Sequence, residues 1–222
     1  MGMFDYVRFE TMSDSSEDVK QGGDEWKQAR VGKVTASRVD DVMATTKSGP
    51  AASRVNYMAE VLSERLTDDP YPQFVSGDMR RGTEVEPEAR TSFEVETGIM
   101  VRPVGFVPHP VIPMFGASPD GLIGDEGLLE LKCPKTATHL KYLLAGVPPP
   151  EYVPQMTAQC SCTGRPFVWF ASYDPRLPED LKLFIVKFTP TQAQIAHMES
   201  TVKAFLAELS ELEARVRGIR KS

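Results

Sequence analysis

The segment Leu128-Leu129-Glu130-Leu131-Lys132-Cys133-Pro134 decides the fold of this chain. If it is a β-strand, alternate side chains point to opposite faces, so Glu130 and Lys132 share one face and the leucines at 129 and 131 share the other. The apolar residues around Glu130 indicate a strand that is buried on both sides. A carboxylate and an amine in such a strand need partners. The sequence therefore predicts a polar site built on a central strand.

Asp120 stands ten residues before Glu130, in the segment Ser118-Pro119-Asp120-Gly121-Leu122. It follows a predicted strand, and Gly121 favours a turn directly after it, so a hairpin would bring the two carboxylates together. Carboxylate oxygens suit Mg²⁺, and Lys132 could orient or help deprotonate the water that attacks a phosphodiester. The alternative is that Asp120 only makes a turn and that Glu130 pairs with Lys132 at the surface. The buried character of the strand favours the metal site.

The rest of the chain divides into helical and extended patterns. Apolar residues at helical spacing predict helices over about 25–30, 39–43, 52–66, 74–97, 135–144, 151–163 and 191–217. Short β-branched and aromatic runs predict strands over 99–107, 111–117, 128–133, 167–173 and 181–188. Pro87 is expected to kink or restart the fourth helix. No repeat or linker divides the pattern, so we predict one α/β domain over residues 20–222, with a central mixed β-sheet flanked by helices.

The composition is that of an ordinary globular protein. The 222 residues carry 31 acidic and 25 basic side chains, and the net charge of −6 excludes a polybasic protein that binds DNA by bulk charge. Residues 1–19 hold five carboxylates and one arginine, which predicts an acidic, flexible N-terminal arm. No apolar run approaches the roughly 18 residues that span a bilayer, and the opening residues lack a signal-peptide pattern. We therefore expect a cytoplasmic protein without membrane contact.

Further motifs stand in order along the chain. They are Asp24-Glu25-Trp26 with Arg30 and Thr35-Ala36-Ser37, Arg81-Gly82-Thr83-Glu84-Val85-Glu86 with Ala89-Arg90, Tyr152 with Gln155, and Ala171-Ser172-Tyr173-Asp174-Pro175-Arg176. Together with the two segments above, they resemble the PD-(D/E)xK nucleases, and within them the phage λ exonuclease/YqaJ-type viral recombinase family. The resemblance covers roughly residues 24–205 and implies a restriction-endonuclease-like core.

The resemblance also implies a catalytic centre. Asp120 and Glu130 would be the metal ligands, helped by the backbone carbonyl of Leu131, and Lys132 would be the catalytic lysine. The metal would be Mg²⁺, with Mn²⁺ as an alternative, and two ions would bind in each active site. Two further residues would assist, Glu86 as a helix carboxylate near the metals and Gln155 as the group that orients the water or the lysine.

A pocket for DNA and its terminal 5′-phosphate is implied as well. Its residues would be Arg30, Ser37, Ser118, Trp26, Thr35 and Tyr152. Trp26 would serve as a platform on which a DNA base stacks, although it fits a core position of the first helix equally well. The chain departs from the family at its second glutamine, since Gln159 lies four residues after Gln155, where the family often has a spacing of two. No role is therefore assigned to Gln159.

The function implied by the resemblance is that of an Mg²⁺-dependent 5′→3′ exonuclease encoded by a phage or prophage. It would digest one strand of double-stranded DNA from its end and leave a 3′ single strand for recombination. A ring-shaped homotrimer and a phage-type single-strand annealing protein are the implied assembly and partner. Two alternatives remain open, a PD-(D/E)xK endonuclease that cuts internally and a DNA-end-binding module without catalysis. The 5′-phosphate pocket argues against the first, and the intact set of Asp120, Glu130 and Lys132 argues against the second.

Overall fold

The computed structural model describes residues 21–72 and 74–219, so the predicted acidic arm at 1–19 lies outside the described residues. Helices and strands combine in one mixed α/β fold. Seven α-helices lie in the described residues: α1 (Asp24–Arg30), α2 (Val39–Met43), α3 (Ala52–Thr67), α4 (Gly77–Thr97), α5 (Thr136–Ala145), α6 (Val153–Thr163) and α7 (Gln192–Gly218). None of these helices is both long enough and apolar enough to cross a membrane.

The strands of the described residues are β1 (Val34–Thr35), β2 (Thr45–Thr46), β3 (Gly49–Pro50), β4 (Val101–Arg102), β5 (Val107–Pro108), β6 (Phe115–Ala117), β7 (Gly121–Ile123), β8 (Gly127–Lys132), β9 (Phe167–Tyr173) and β10 (Leu183–Phe188). A five-stranded mixed sheet forms the centre of the molecule, in the order β10-β9-β8-β7-β4. β8 and β9 run parallel, whereas the other neighbours in this sheet are antiparallel. A second, three-stranded sheet has the order β1-β6-β5. The predicted mixed sheet flanked by helices is confirmed.

β8 is the middle strand, and helices cover both of its faces. Phe93 of α4 packs with Leu129 and Leu131 on one face. Met156 of α6 packs with Leu128 on the other. A third apolar cluster joins α2, α3, α6 and α7 to the small sheet. The predicted alternation along β8 is therefore confirmed, and it directs the side chain of Glu130 toward α6.

The strands predicted over 99–107 and 111–117 are much shorter in the structure. The first segment is extended only at Val101–Arg102 and Val107–Pro108, and the second only at Phe115–Ala117. Four prolines interrupt this part of the chain. Each lacks the N–H group that a continuous ladder needs, which explains why the runs of β-forming residues do not become long strands.

The long helix α4 also differs from its prediction at two points. It begins at Gly77 instead of at 74, because the Ser76 hydroxyl accepts a hydrogen bond from the N–H of Met79 at 3.2 Å and caps the helix. It then continues through Pro87 to Thr97, so the helix does not restart at the proline. Burial of Phe93 and its neighbours against the sheet outweighs the local preference of proline.

A buried carboxylate ties α5 to the end of β9. Asp174 is fully buried and accepts a hydrogen bond from the Thr136 hydroxyl at 2.6 Å and two from the Arg176 guanidinium at 2.7 and 2.9 Å. Burial by itself would raise the pKa of Asp174, but the hydrogen bonds from Arg176 and Thr136 outweigh it and hold the pKa well below its usual range. The contact holds the start of α5, which directly follows the strand with Glu130 and Lys132.

Replacing Asp174 with asparagine should remove stability in a pH-dependent way. A lowered carboxyl pKa contributes stability above the unfolded value of about 4, and the contribution is lost as the pH falls through the folded value. The difference in free energy of unfolding between wild type and Asp174→Asn should therefore be largest near neutral pH and shrink below about pH 4. Urea unfolding from pH 7 to pH 3 measures it, with the exposed Asp180→Asn as control. A difference in free energy of unfolding that stays constant with pH would contradict the lowered pKa of Asp174.

Candidate active site

The hairpin of β7 and β8 brings Asp120 to Glu130. The Asp120 N–H donates to the carbonyl of Leu129 at 3.0 Å, and the Leu131 N–H donates to Asp120 Oδ2 at 2.6 Å. Gly121 begins β7 and does not form the predicted turn, which lies at residues 124–126. A Cβ at position 121 would lie 2.1 Å from Val101 Cγ1, so the close approach of β4 requires glycine there. The convergence of the two carboxylates was thus predicted correctly, but the role of Gly121 was not.

Glu130 lies at the centre of the site, and its side chain is only 1% exposed. Oε1 accepts from Lys132 Nζ at 2.5 Å and from Gln155 Nε2 at 2.6 Å. Oε2 accepts from Gln159 Nε2 at 2.5 Å. Three donors thus surround the carboxylate, which meets the requirement that a buried charged group be paired.

The charge of Glu130 affects the pKa values of both Asp120 and Lys132. Burial raises the pKa of Asp120 well above its ordinary value, and repulsion from Glu130 raises it further. Burial would lower the pKa of Lys132, but attraction to Glu130 and Asp120 outweighs it, so the pKa of this lysine is raised. Attraction to the two carboxylates thus favours the charged form of Lys132.

Glu86 and Tyr152 border the same group. Glu86 lies on α4, where its charge contributes to the raised pKa of Asp120, and it pairs with Arg90 at 3.6 Å. The ring of Tyr152 lies 4.9 Å from Lys132 Nζ. Tyr152, which the resemblance groups with the phosphate pocket, therefore lies beside Lys132 instead.

A second polar cluster begins two residues before Asp120, at Ser118. Trp26 Nε1 donates to Ser118 Oγ at 2.9 Å, and Arg30 Nη1 lies at 3.4 Å from the same oxygen. The Arg30 guanidinium stacks on the Trp26 ring, 4.0 Å from its centre. Burial lowers the pKa of Arg30. The indole N–H of Trp26 thus makes this residue part of the cluster. Through Trp26 and Arg30, α1 contacts the segment that carries Asp120.

A cavity of about 330 Å³ opens beside this cluster and is lined in part by Trp26, Arg30 and Thr35. The Thr35 and Ser37 hydroxyls lie 3.3 Å apart, and Ser37 lines an adjoining cavity that shares Arg30. Five of the six residues predicted for a phosphate pocket therefore lie together. Tyr152 is the exception.

Asp120 and Glu130 are the side chains that could hold a metal ion. Among residues 21–72 and 74–219, no three or more histidine, cysteine, aspartate or glutamate side chains form a metal-binding group. The available donors are two carboxylates, which suit a hard cation such as Mg²⁺ better than Zn²⁺. Repulsion between the Asp120 and Glu130 carboxylates, which raises the pKa of Asp120, is also a feature that a bound cation would relieve.

Residues 25–166 match the YqaJ-like viral recombinase domain. The chain belongs to this family. The matched range contains Trp26, Arg30, the hairpin with both carboxylates, and the two glutamines of α6. No match was found among curated proteins.

Solved structures of exonucleases share the fold. The alkaline exonuclease LHK-Exo from Laribacter hongkongensis is 50% identical, with a TM-score of 0.83 over 90% of this chain and 98% of that chain. LHK-Exo in complex with dAMP gives a TM-score of 0.84 at the same identity, over 90% of this chain and 99% of that chain. A phage-related exonuclease from Haemophilus somnus 129PT, 12% identical, has a TM-score of 0.66 over 83% of this chain and 96% of that chain, which shows the fold alone. The restriction-endonuclease-like core is confirmed, and the YqaJ-like family supports a DNA exonuclease.

Gln159 is a residue that the sequence analysis left without a role. It lies one helical turn after Gln155 on α6, and both side chains reach Glu130. Positions four residues apart share a helix face, so the spacing itself was a signal that the two amides act on the same group. The departure from the family spacing of two hid that signal.

Proposed function

We propose that this YqaJ-like protein is an Mg²⁺-dependent 5′→3′ exonuclease that digests one strand of double-stranded DNA from its end. The product would be a 3′ single strand for phage-type recombination by single-strand annealing. One observation carries the proposal: Ser118 contacts Trp26 and Arg30, and Asp120, two residues later, enters the site with Glu130 and Lys132. An end-binding pocket and a hydrolytic site are therefore joined by one short segment.

Asp120 and Glu130, with the Leu131 carbonyl, would hold Mg²⁺, or alternatively Mn²⁺, with two ions per site. The metal supplies Lewis-acid stabilisation of the charge that develops at the phosphate. Lys132 would orient or help deprotonate the attacking water. Gln155 would orient Glu130 and Lys132 relative to each other, since its amide donates to Glu130 Oε1, the oxygen that Lys132 also contacts. Glu86 would add negative charge near the metals.

Arg30 and Ser118 would bind the terminal 5′-phosphate, with Ser37, Thr35 and the stacked Trp26 completing the pocket. A guanidinium and several hydroxyls match the acceptor oxygens of a phosphate. LHK-Exo, the 50% identical relative, has been crystallised with a nucleoside monophosphate, dAMP, which supports a site for such a group. An endonuclease would need no pocket for a chain end, and a module that only binds ends would need no set of Asp120, Glu130 and Lys132.

Alanine at Asp120 or Glu130 should abolish digestion while binding to DNA ends survives, because each change removes an oxygen ligand from a hard cation. Nucleotide release from end-labelled linear duplex in Mg²⁺ measures the activity, and closed circular duplex tests for internal cutting. Glu126→Ala, an exposed carboxylate in the same hairpin, is the matched control. Activity within about threefold of wild type in either site variant would reject this metal site. Cleavage of the closed circle would favour the endonuclease.

Arg30→Ala should slow digestion of 5′-phosphorylated ends by about 10- to 100-fold and leave 5′-hydroxyl ends much less affected. A charged hydrogen bond contributes about 1.5–3 kcal/mol, and it is made only when the phosphate is present. The ratio of the two rates is the measurement, and Lys47→Ala, an exposed cation away from the cavity, is the control. An equal loss on both ends would make Arg30 a general DNA contact or a structural residue.

The assembly and partners are also part of the proposal. A ring-shaped homotrimer would let a chain of net charge −6 hold DNA, because threading replaces electrostatic adhesion along the duplex. The single strand would pass to a phage-type annealing protein that docks on the exonuclease. Phage or prophage DNA recombines inside the bacterial host cell, so the protein would work in the cytoplasm.

We expect purified protein to sediment at about three times the chain mass of 24.6 kDa and to bind its cognate annealing protein without DNA. Analytical ultracentrifugation at micromolar concentration tests the first expectation, and co-sedimentation of the two proteins tests the second. A monomer would contradict the ring and the threading explanation. A trimer that does not bind the annealing protein would contradict only the proposed transfer of the single strand to that protein.

A further inference from the structure

Gln159 is a fully buried amide in the apolar middle of α6. Its neighbours on the helix, Met156 and Cys160, belong to the core cluster beneath the sheet. Gln159 Nε2 donates to Glu130 Oε2 at 2.5 Å, whereas the buried Gln159 Oε1 has no hydrogen-bond partner among residues 21–72 and 74–219. Within this part of the chain, half of the Gln159 amide is therefore unpaired.

The orientation of this amide follows from what Glu130 can accept. The oxygens of a carboxylate only accept hydrogen bonds, so the NH₂ group must face Glu130 and the amide oxygen must point away. Leaving a buried carbonyl unpaired destabilises the folded protein, and an apolar side chain of the same length would avoid that cost. Packing of α6 against the core therefore does not explain why position 159 is an amide. The hydrogen bond from Gln159 to Glu130 explains it.

The two oxygens of Glu130 consequently have different environments. Oε2 is held by the buried Gln159, which lies on the core side of the site. Oε1 faces Lys132 and Gln155, which are both partly exposed. Only Oε1 lies on the side that borders the catalytic lysine.

We propose that Gln159 is a positioning residue for the proposed reaction: it holds Oε2 of Glu130 so that Oε1 is the oxygen offered to a divalent cation. This inference rests on the metal site proposed above. Gln155 orients groups at the open side, and Gln159 fixes the carboxylate from the closed side. Groups that hold a metal ligand in this way typically contribute 10- to 100-fold to metal affinity or activity.

Gln159→Met tests the proposal, because it keeps the length and volume of the side chain and removes the donor. Gln159→Leu is a second variant with the same loss of the amide. Met156→Leu is the matched control, since it is a volume-conserving change at another fully buried position of α6. Thermal unfolding of each full-length protein is measured against MgCl₂ concentration, because ligand that binds the folded state raises the unfolding temperature. Binding of a 5′-phosphorylated duplex end is measured in EDTA.

The proposal expects both Gln159 variants to fold and to bind DNA ends within about twofold of wild type, while their Mg²⁺ dissociation constants rise about 10- to 100-fold. Met156→Leu should keep the wild-type constant. Wild-type Mg²⁺ affinity in Gln159→Met would overturn the positioning role. Failure of both variants to fold would also overturn it, since Gln159 would then be a structural residue. A wild-type protein that is neither stabilised by Mg²⁺ nor able to digest DNA would instead show that the proposed function itself is wrong, and the inference would fall with it.

Discussion

Burial of the Glu130 carboxylate in the middle of the sheet is the constraint on which the rest of the structure depends. Removing one partner from a buried charge costs about 3–5 kcal/mol, so the elements around it must supply donors with good geometry. β8 supplies Lys132 from the same strand face, and α6 supplies Gln155 and Gln159. The packing of α6 on β8 is therefore set by polar contacts as well as by the apolar core beneath them.

A second constraint is the short connection between the two polar clusters. Ser118 and Asp120 are separated by a single proline, and two residues of chain span at most about 7 Å. Gln21 adds a contact here, because its side-chain amide donates to the Pro119 carbonyl at 2.6 Å. This short segment therefore fixes the distance between the cavity beside Arg30 and the carboxylate site. For the proposed exonuclease, this spacing would relate the bound chain end to the bond that is cut.

Local patterns predicted most of the helices and the long strands, and they were weakest where backbone chemistry competes with side-chain preference. Four prolines shorten the strands between 99 and 117, and the Ser76 hydroxyl moves the start of α4 to Gly77. Gly121 was interpreted as a turn residue, although it is a strand residue that must lack a Cβ because Val101 lies against it. This space requirement comes from β4, some twenty residues earlier in the chain, and no pattern around Gly121 shows it.

The sequence by itself determined the centre of the candidate site. Asp120, Glu130 and Lys132 lie within thirteen residues, and the alternation of one strand and the closure of one hairpin are local features that bring them together. Only the tertiary structure decided which distant residues complete the site. Gln159 is 29 residues from Glu130 and Trp26 is 92 residues from Ser118, and both contacts exist because α6 and α1 pack against distant parts of the chain. Tyr152 reaches Lys132 for the same reason. Contacts of this kind depend on how layers of the fold pack, which spacing along the chain does not specify.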